Sequence, residues 1–469
     1  MNFNSSDFGF FLTAVFCLYW LLRGNRVVRY SLLLLASWFF YASWNFRYLG
    51  LILASTLLDY WVGGKLAKLD FQDERQRPRR KLLLCCSVVG NLGLLGTFKY
   101  YNFFRANIES VLDAELPFLD VLLPVGISFY TFQTLSYTID IYRGKLKPAR
   151  NLYEFGLFVA FFPQLVAGPI VRASDFLPQL ENRPRLSERE LSTALYRIME
   201  GLFKKVVIAD VLAVGLVDRV FDIGSEAGGL EALLGVYAYA MQIYCDFAGY
   251  SDIAIGSALL LGFRIPENFD APYVARSIQD FWHRWHMSLS SWLRDYLYIP
   301  LGGNRLSPLR TYVNLMLTML LGGLWHGAAW NFVAWGGLHG LWLGVNRFWS
   351  RRGLGSLEGR WGAVLSVAIT FHLVCLGWVF FRAADFAAAE DLLGRIGSGG
   401  WSIPELPPSI WIALALGYSS HFLPRSAKER VQDIYVALPA VVVGFIWSLF
   451  LGLLAYSAVE GVPFIYFQF

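Results

Sequence analysis

Charge is what this chain has least of. Only 16% of its 469 residues are Asp, Glu, Lys or Arg and 56% are hydrophobic, where an average soluble domain carries roughly 25% and about 45–50%. That shortage excludes an ordinary soluble enzyme. No stretch is both long and polar enough to form a separate soluble domain. Cysteine is scarce too: Cys17, Cys85, Cys86, Cys245 and Cys375 are odd in number, irregular in spacing and set in apolar runs. Neither a disulfide framework nor a zinc motif follows from that pattern. The net charge of +5 is small for the length and gives no reason to expect nucleic acid. No basic residue precedes the first hydrophobic stretch and no small-x-small cleavage site follows it. The N-terminus therefore reads as a retained first span, not a secretory signal.

Long apolar runs are what the chain does have. Runs able to cross roughly 30 Å of hydrocarbon recur from end to end, which makes this an all-α polytopic membrane protein, read as a single integral-membrane domain over 1–469. Spans are expected at Phe8–Leu22, Tyr30–Trp44, Leu49–Leu66, Leu82–Lys99 and Leu119–Ile141. Others follow at Leu152–Val171, Ala194–Val220, Leu230–Gly262, Tyr312–Trp325, Ala328–Phe348, Ala363–Phe381, Ile410–Phe422 and Val436–Ala455. Basic clusters such as Arg23–Arg29 and Lys65–Lys81 belong on the cytoplasmic side by the positive-inside rule. The acidic connection Glu109–Glu115 then falls outside, as do the N-terminus and the C-terminal Val462–Phe469.

Two segments interrupt the oily pattern. Phe161–Ile170 carries Pro163, Gly168 and Pro169 inside an apolar run. Broken backbone at membrane depth survives only where protein or a wet cavity satisfies it, so this segment is expected to be kinked or re-entrant. Tyr244–Asp252 carries Asp246 and Asp252. Carboxylates in lipid need partners, and Arg264 and Arg294 are the arginines proposed here.

Polar side chains concentrate between Asp280 and Trp335, where four of the six histidines lie between His283 and His339. On one helix from Ser277 to Leu297, Trp282, Trp285, Leu289 and Trp292 would form an aromatic face. Gln279, His283, His286 and Ser290 would form a polar face beside it. A metal held by His283 and His286 lacks a third ligand at suitable spacing, and a surface amphipathic helix without chemistry fits the same pattern. His326 stands apart, with no charged residue within ten positions on either side. Gly322, Gly323, Gly327, Ala328 and Ala329 around it leave room for close helix approach or for a slender substrate. An imidazole exchanges protons near neutral pH and suits general-base work on a hydroxyl. A core histidine bonded to a backbone carbonyl is the alternative. His339, counted along one helix, lies on a different face from His326, and with His372 and His421 is expected to be structural.

The chain resembles the membrane-bound O-acyltransferase family through Phe162–Pro169, Asp246–Asp252, Glu267–Phe269, Phe281–Tyr296 and Trp325–Gly327. Within that family it is most similar to the bacterial branch that O-acetylates exopolysaccharides such as alginate or cellulose. The resemblance implies a ring of roughly 11–13 helices, some broken or re-entrant, around a funnel-shaped centre. It places the catalytic histidine at His326 and the second motif histidine at His286. Arg284, Trp285, Arg294, Asp295, Trp325 and Asn268 are expected to bind substrate, with no metal. The implied donor is acetyl-coenzyme A on the cytoplasmic side, with no tightly bound cofactor. The implied location is a bacterial inner membrane with a periplasmic C-terminus. A periplasmic acetyltransferase or esterase-like partner, docking near Phe464–Phe469, and an exopolysaccharide synthesis and export complex are expected beside the membrane lipids. Two rival functions remain: a polysaccharide or lipid-carrier transporter, and transfer of D-alanine to teichoic acid.

Overall fold

Short polar side chains begin many of the helices. Asn25 Oδ1 accepts from Val27 N at 3.0 Å to start Arg26–Asn45, and Asn151 Oδ1 accepts from Glu154 N at 2.9 Å to start Leu152–Ala160. Ser277 and Ser307 do the same for Ile278–Arg284 and Pro308–His326, accepting at 3.1 and 3.2 Å. Each satisfies an amide that the helix itself leaves without a partner. The computed structural model describes residues 1–112, 115–166, 168–222, 224–353, 359–457 and 462–465, and among them every regular element is helical.

Three helical stretches among the described residues are long and apolar enough to cross a bilayer: Glu74–Leu112, Gly359–Arg382 and Ala440–Ser457. Ala440–Ser457 buries only Val443, and Val441, Phe445 and Leu449 lie exposed. Such a surface suits hydrocarbon rather than water.

The chain divides into two compact units. The first comprises Met1–Ala194 and Ala254–Pro266, the second Leu195–Ile253 and Glu267–Phe469. In the first, Leu49–Leu66, Arg77–Leu95 and Ile127–Tyr142 pack around a buried polar chain. Asp59 accepts from Ser87 Oγ at 2.5 Å and from Asn91 Nδ2 at 2.7 Å, and Asn91 Oδ1 accepts from Ser55 at 2.6 Å. Without those bonds a carboxyl with no exposed surface would be costly.

Several expected boundaries move. The run Leu82–Lys99 belongs to a longer helical stretch that a π turn at Gly96–Tyr100 carries on to Leu112. Glu109 therefore lies in a helix, paired with Arg105 at 2.9 Å, and is not part of a loop. The run Leu119–Ile141 becomes helical only at Ile127, because Pro124 and the positive φ of Gly126 (76°) stop a helix from forming earlier. The segment with the two prolines is broken as expected. Leu152–Ala160 ends at Phe161, a single turn follows at Phe162–Leu165, and non-helical chain runs from Pro169 to Arg172. Phe162 N donates to Ser37 Oγ at 3.1 Å and Gln164 Nε2 to Phe158 O at 2.5 Å, so side chains and carbonyls satisfy the break. Ala167 lies outside the described residues.

Candidate active site

The second unit holds every histidine from His283 onward. Its electrostatic frame comes from the helical run that passes through Lys204 and Lys205. Asp252 accepts from Lys204 Nζ at 2.6 Å and pairs with Arg197 at 2.7 Å, and Arg197 also holds Glu267 at 2.6 Å. Lys205, buried to within 1% of its side chain, lies 2.8 Å from both Asp210 and Asp246. Asp246 and Asp252 are thus paired, as lipid burial demands, but not with Arg264 or Arg294. Arg264 binds Glu190 at 2.8 Å and Arg294 binds Asp295 at 2.7 Å. The true partners lie 41 to 55 residues upstream in sequence, a separation that helical spacing does not reveal.

That frame fixes the segment beginning at Glu267, and the segment fixes His286. Asn268, fully buried, accepts at Oδ1 from Ser288 Oγ at 2.8 Å and from Ser288 N at 3.3 Å. An amide oxygen that takes a backbone N–H is an acceptor, so His286 Nδ1, 3.1 Å away, donates to it. The proton therefore sits on Nδ1 and Nε2 is the ring's acceptor. Asn268 Nδ2 donates to Ser251 Oγ at 3.1 Å and its carbonyl accepts from Met287 N at 2.9 Å. Asn268, expected to bind substrate, also holds the histidine in place through these bonds.

The single helix expected from Ser277 to Leu297 does not form. Ile278–Arg284 stops, Trp285 is extended and His286 takes the left-handed φ of 42°. Met287–Leu293 then starts afresh. Residues on one face of an unbroken helix are parted by this break: His283 is exposed whereas His286 has no exposed surface. Among the described residues no group of three metal-binding side chains occurs. Trp282, Trp285, Leu289 and Trp292 are all buried, but they are carried by two short helices and the extended residue between them. Arg284 clamps the bend, donating to Asp280 at 2.8 Å and to Asp270 O at 3.2 Å. Trp285 packs against Phe281, Phe269 and Trp378 at 5.6, 5.1 and 4.9 Å. The Arg294 side chain is 62% exposed and pairs with Asp295, whose side chain is 20% exposed.

His326 closes the helix Pro308–His326 and is 3% exposed. Its ring packs against Trp325 and Trp335 at 5.1 Å and Phe381 at 5.3 Å. Trp325 also lies 6.0 Å from His286, so one indole stands between the two histidines of the motif. Gly323 before it and Gly336 after it serve close approach of backbones. A Cβ on Gly323 would run into the carbonyl of Phe332, and one on Gly336 into that of Met319. The helix Trp330–Arg351 thus folds back along Pro308–His326. That hairpin brings His339 to the cluster, 4.8 Å from Trp335, on the indole that also faces His326. Counting along one helix excluded this neighbour, and Gly323 with Gly336 was the signal for the turn. His372 and His421 make internal bonds, to Tyr237 and Ala368 at 2.8 and 2.7 Å and to Tyr273 N at 3.1 Å.

The C-terminal residues Phe464 and Ile465 are buried in the same unit. Phe464 lies 4.1 Å from Tyr250 and 5.8 Å from Phe247, and Ile465 N donates to Asp246 Oδ2 at 2.7 Å. Residues 466–469 lie outside the described residues.

Residues 40–353 match the MBOAT, membrane-bound O-acyltransferase family. The chain is 45% identical over 411 residues to a Pseudomonas putida protein named probable alginate O-acetylase AlgI, covering 87% of this chain and 82% of that one. It is 38% identical over 435 residues to the peptidoglycan O-acetyltransferase of Helicobacter pylori, covering 86% and 81%. Against the teichoic acid D-alanyltransferase of Bacillus subtilis it is 29% identical over 326 residues, covering 66% and 80%.

Proposed function

Since the chain belongs to the membrane-bound O-acyltransferase family and is a membrane O-acyltransferase, we propose that it carries an acetyl group from a cytoplasmic thioester toward an exported exopolysaccharide. The observation that carries this reading is the placement of His326: a buried imidazole among aromatic rings, one indole away from a second buried histidine. His326 takes the proton of the acceptor hydroxyl, whose oxygen then attacks the thioester carbonyl. His286, held with Nε2 as its acceptor, orients the hydroxyl. Exclusion of water strengthens such contacts and spares the thioester from hydrolysis.

The donor in this reading is acetyl-coenzyme A, drawn by basic loops at the cytoplasmic face, and no tightly bound cofactor takes part. The membrane is a bacterial inner membrane, crossed many times by helices ringed about a funnel. A periplasmic acetyltransferase or esterase-like protein completes transfer to the polymer, alginate or cellulose, beside a synthesis and export complex. The names of the Pseudomonas and Helicobacter relatives favour acetyl over D-alanyl transfer, because identity to them is higher and extends further. A transporter would have no use for the motif histidines.

Purified protein given acetyl-coenzyme A labelled in the acetyl group, with isolated polymer and periplasmic extract, is expected to yield labelled acetyl ester. Mass spectrometry showing an alanyl ester, or no consumption of label, contradicts the reading.

A further inference from the structure

Two buried N–H groups in the second unit have no acceptor among the described residues, and their nitrogens lie beside the same glycine. His339 has no exposed surface and Trp335 is 1% exposed. Trp282 Nε1–H donates to His339 Nδ1 at 3.3 Å. An indole nitrogen only donates, so the His339 proton sits on Nε2. That Nε2–H and Trp335 Nε1–H both lack partners among the described residues. Both nitrogens lie close to Gly377 on the helix Gly359–Arg382. A Cβ there would stand 3.1 Å from His339 Nε2 and 3.5 Å from Trp335 Nε1.

Buried donors are nearly always satisfied, and an orphan costs free energy that another structure would avoid. The surroundings define what would satisfy these. The rings of Phe281, Trp342, Trp378 and Phe381 lie within 5.0–6.0 Å of one or other donor ring. No cation is among them, which disfavours a permanent anion. A water would bring two hydrogens of its own into a wall of aromatic rings. A carbonyl oxygen accepts only, and is neutral until it reacts.

We propose that His339 Nε2–H and Trp335 Nε1–H form a two-donor site for the carbonyl oxygen of the acyl group, beside Gly377. The inference rests on His326 as the base. The Trp335 ring meets His326 edge-on at 5.1 Å, so the site and the base share one indole. The acceptor O–H gives its proton to His326 as its oxygen bonds to the acyl carbon. The carbonyl π pair moves onto oxygen, where the two N–H groups stabilise the charge. The pair returns, the C–S bond breaks, and the leaving thiolate takes the proton from His326. Nothing is oxidised or reduced. Preformed donors aimed at a developing oxyanion are among the largest catalytic effects known.

Binding of two unreactive donor analogues tests this without the chemical step. One is acetyl-coenzyme A with CH2 in place of sulfur, and the other is the same molecule with its carbonyl reduced to CH2. The full chain in nanodiscs is expected to bind the ketone at least about tenfold more tightly, the worth of a net hydrogen bond. Trp335→Phe removes one donor while keeping a ring, Gly377→Ala blocks the spot while keeping both donors, and His339→Gln keeps an amide N–H. The first two are expected to bring the ratio near one and the third to keep most of it, with folding checked by thermal unfolding. Equal binding of both analogues to the unsubstituted chain, no binding of either, or an unchanged ratio in Trp335→Phe and Gly377→Ala overturns the proposal. Because the analogues do not react, loss of the His326 reading is detected separately, by acetyl transfer in His326→Ala.

Discussion

His286 holds a backbone conformation that few residues accept, and the cost shows where the chain is over-determined. A left-handed φ outside glycine costs on the order of 1–3 kcal/mol and persists only where the surroundings enforce it. Here the enforcement comes from Asn268, which gathers His286 Nδ1, Ser288 Oγ and Ser288 N on a single oxygen. Asparagine tolerates this region and a β-branched residue does not. His286→Asn is therefore expected to keep the thermal unfolding midpoint while lowering acetyl transfer, and His286→Val to lower both. Asn268→Leu removes the shared acceptor of His286 Nδ1, Ser288 Oγ and Ser288 N, and thermal unfolding is expected to show a loss of about 1–3 kcal/mol or more. A midpoint unchanged in Asn268→Leu would remove Asn268 from its role as scaffold.

At the scale of elements, glycine reports which helices touch. A Cβ on Gly323 would collide with the Phe332 backbone, whereas nothing lies within 4 Å of one on Gly93. Gly323→Ala is expected to lose roughly 1–3 kcal/mol through overpacking, and Gly93→Ala to be neutral or to gain up to about 1 kcal/mol. Denaturation of the two variants side by side checks the contrast. The sequence made much of this level readable. The apolar runs, the break at Phe161–Pro169, the need for Asp246 and Asp252 to be paired, and the isolation of His326 all follow from local composition. What stayed hidden depends on contacts between distant residues. The continuous helix over Ser277–Leu297 had a consistent periodicity, yet Asn268 turns it at His286. His339 seemed remote only because a hairpin at Gly327–Ala329 does not alter the spacing of residues along the chain. The ion pairs of Asp246 and Asp252 reach back to Lys205, Lys204 and Arg197, a choice that no local pattern encodes.

For the whole molecule, the buried ions and the buried histidine answer different needs. Lys205 compensates both Asp210 and Asp246 inside the second unit, and Asp246 also takes the amide of Ile465. Removing one partner of a buried ionic group commonly costs about 3–5 kcal/mol. Lys205→Met should therefore reduce the amount of folded protein recovered from membranes, and recovery at the unsubstituted level would show that the group is dispensable. His326 is expected to behave in the opposite way, because it closes its helix and its ring packs among Trp325, Trp335 and Phe381, which a smaller apolar side chain leaves in place. The most direct measurement is the acetyl content of the exported polymer from cells carrying only His326→Ala, with the amount of protein in the membrane measured alongside. Full membrane abundance with no polymer acetylation is the predicted result, and normal acetylation at the same abundance would contradict the assignment of His326 as the base.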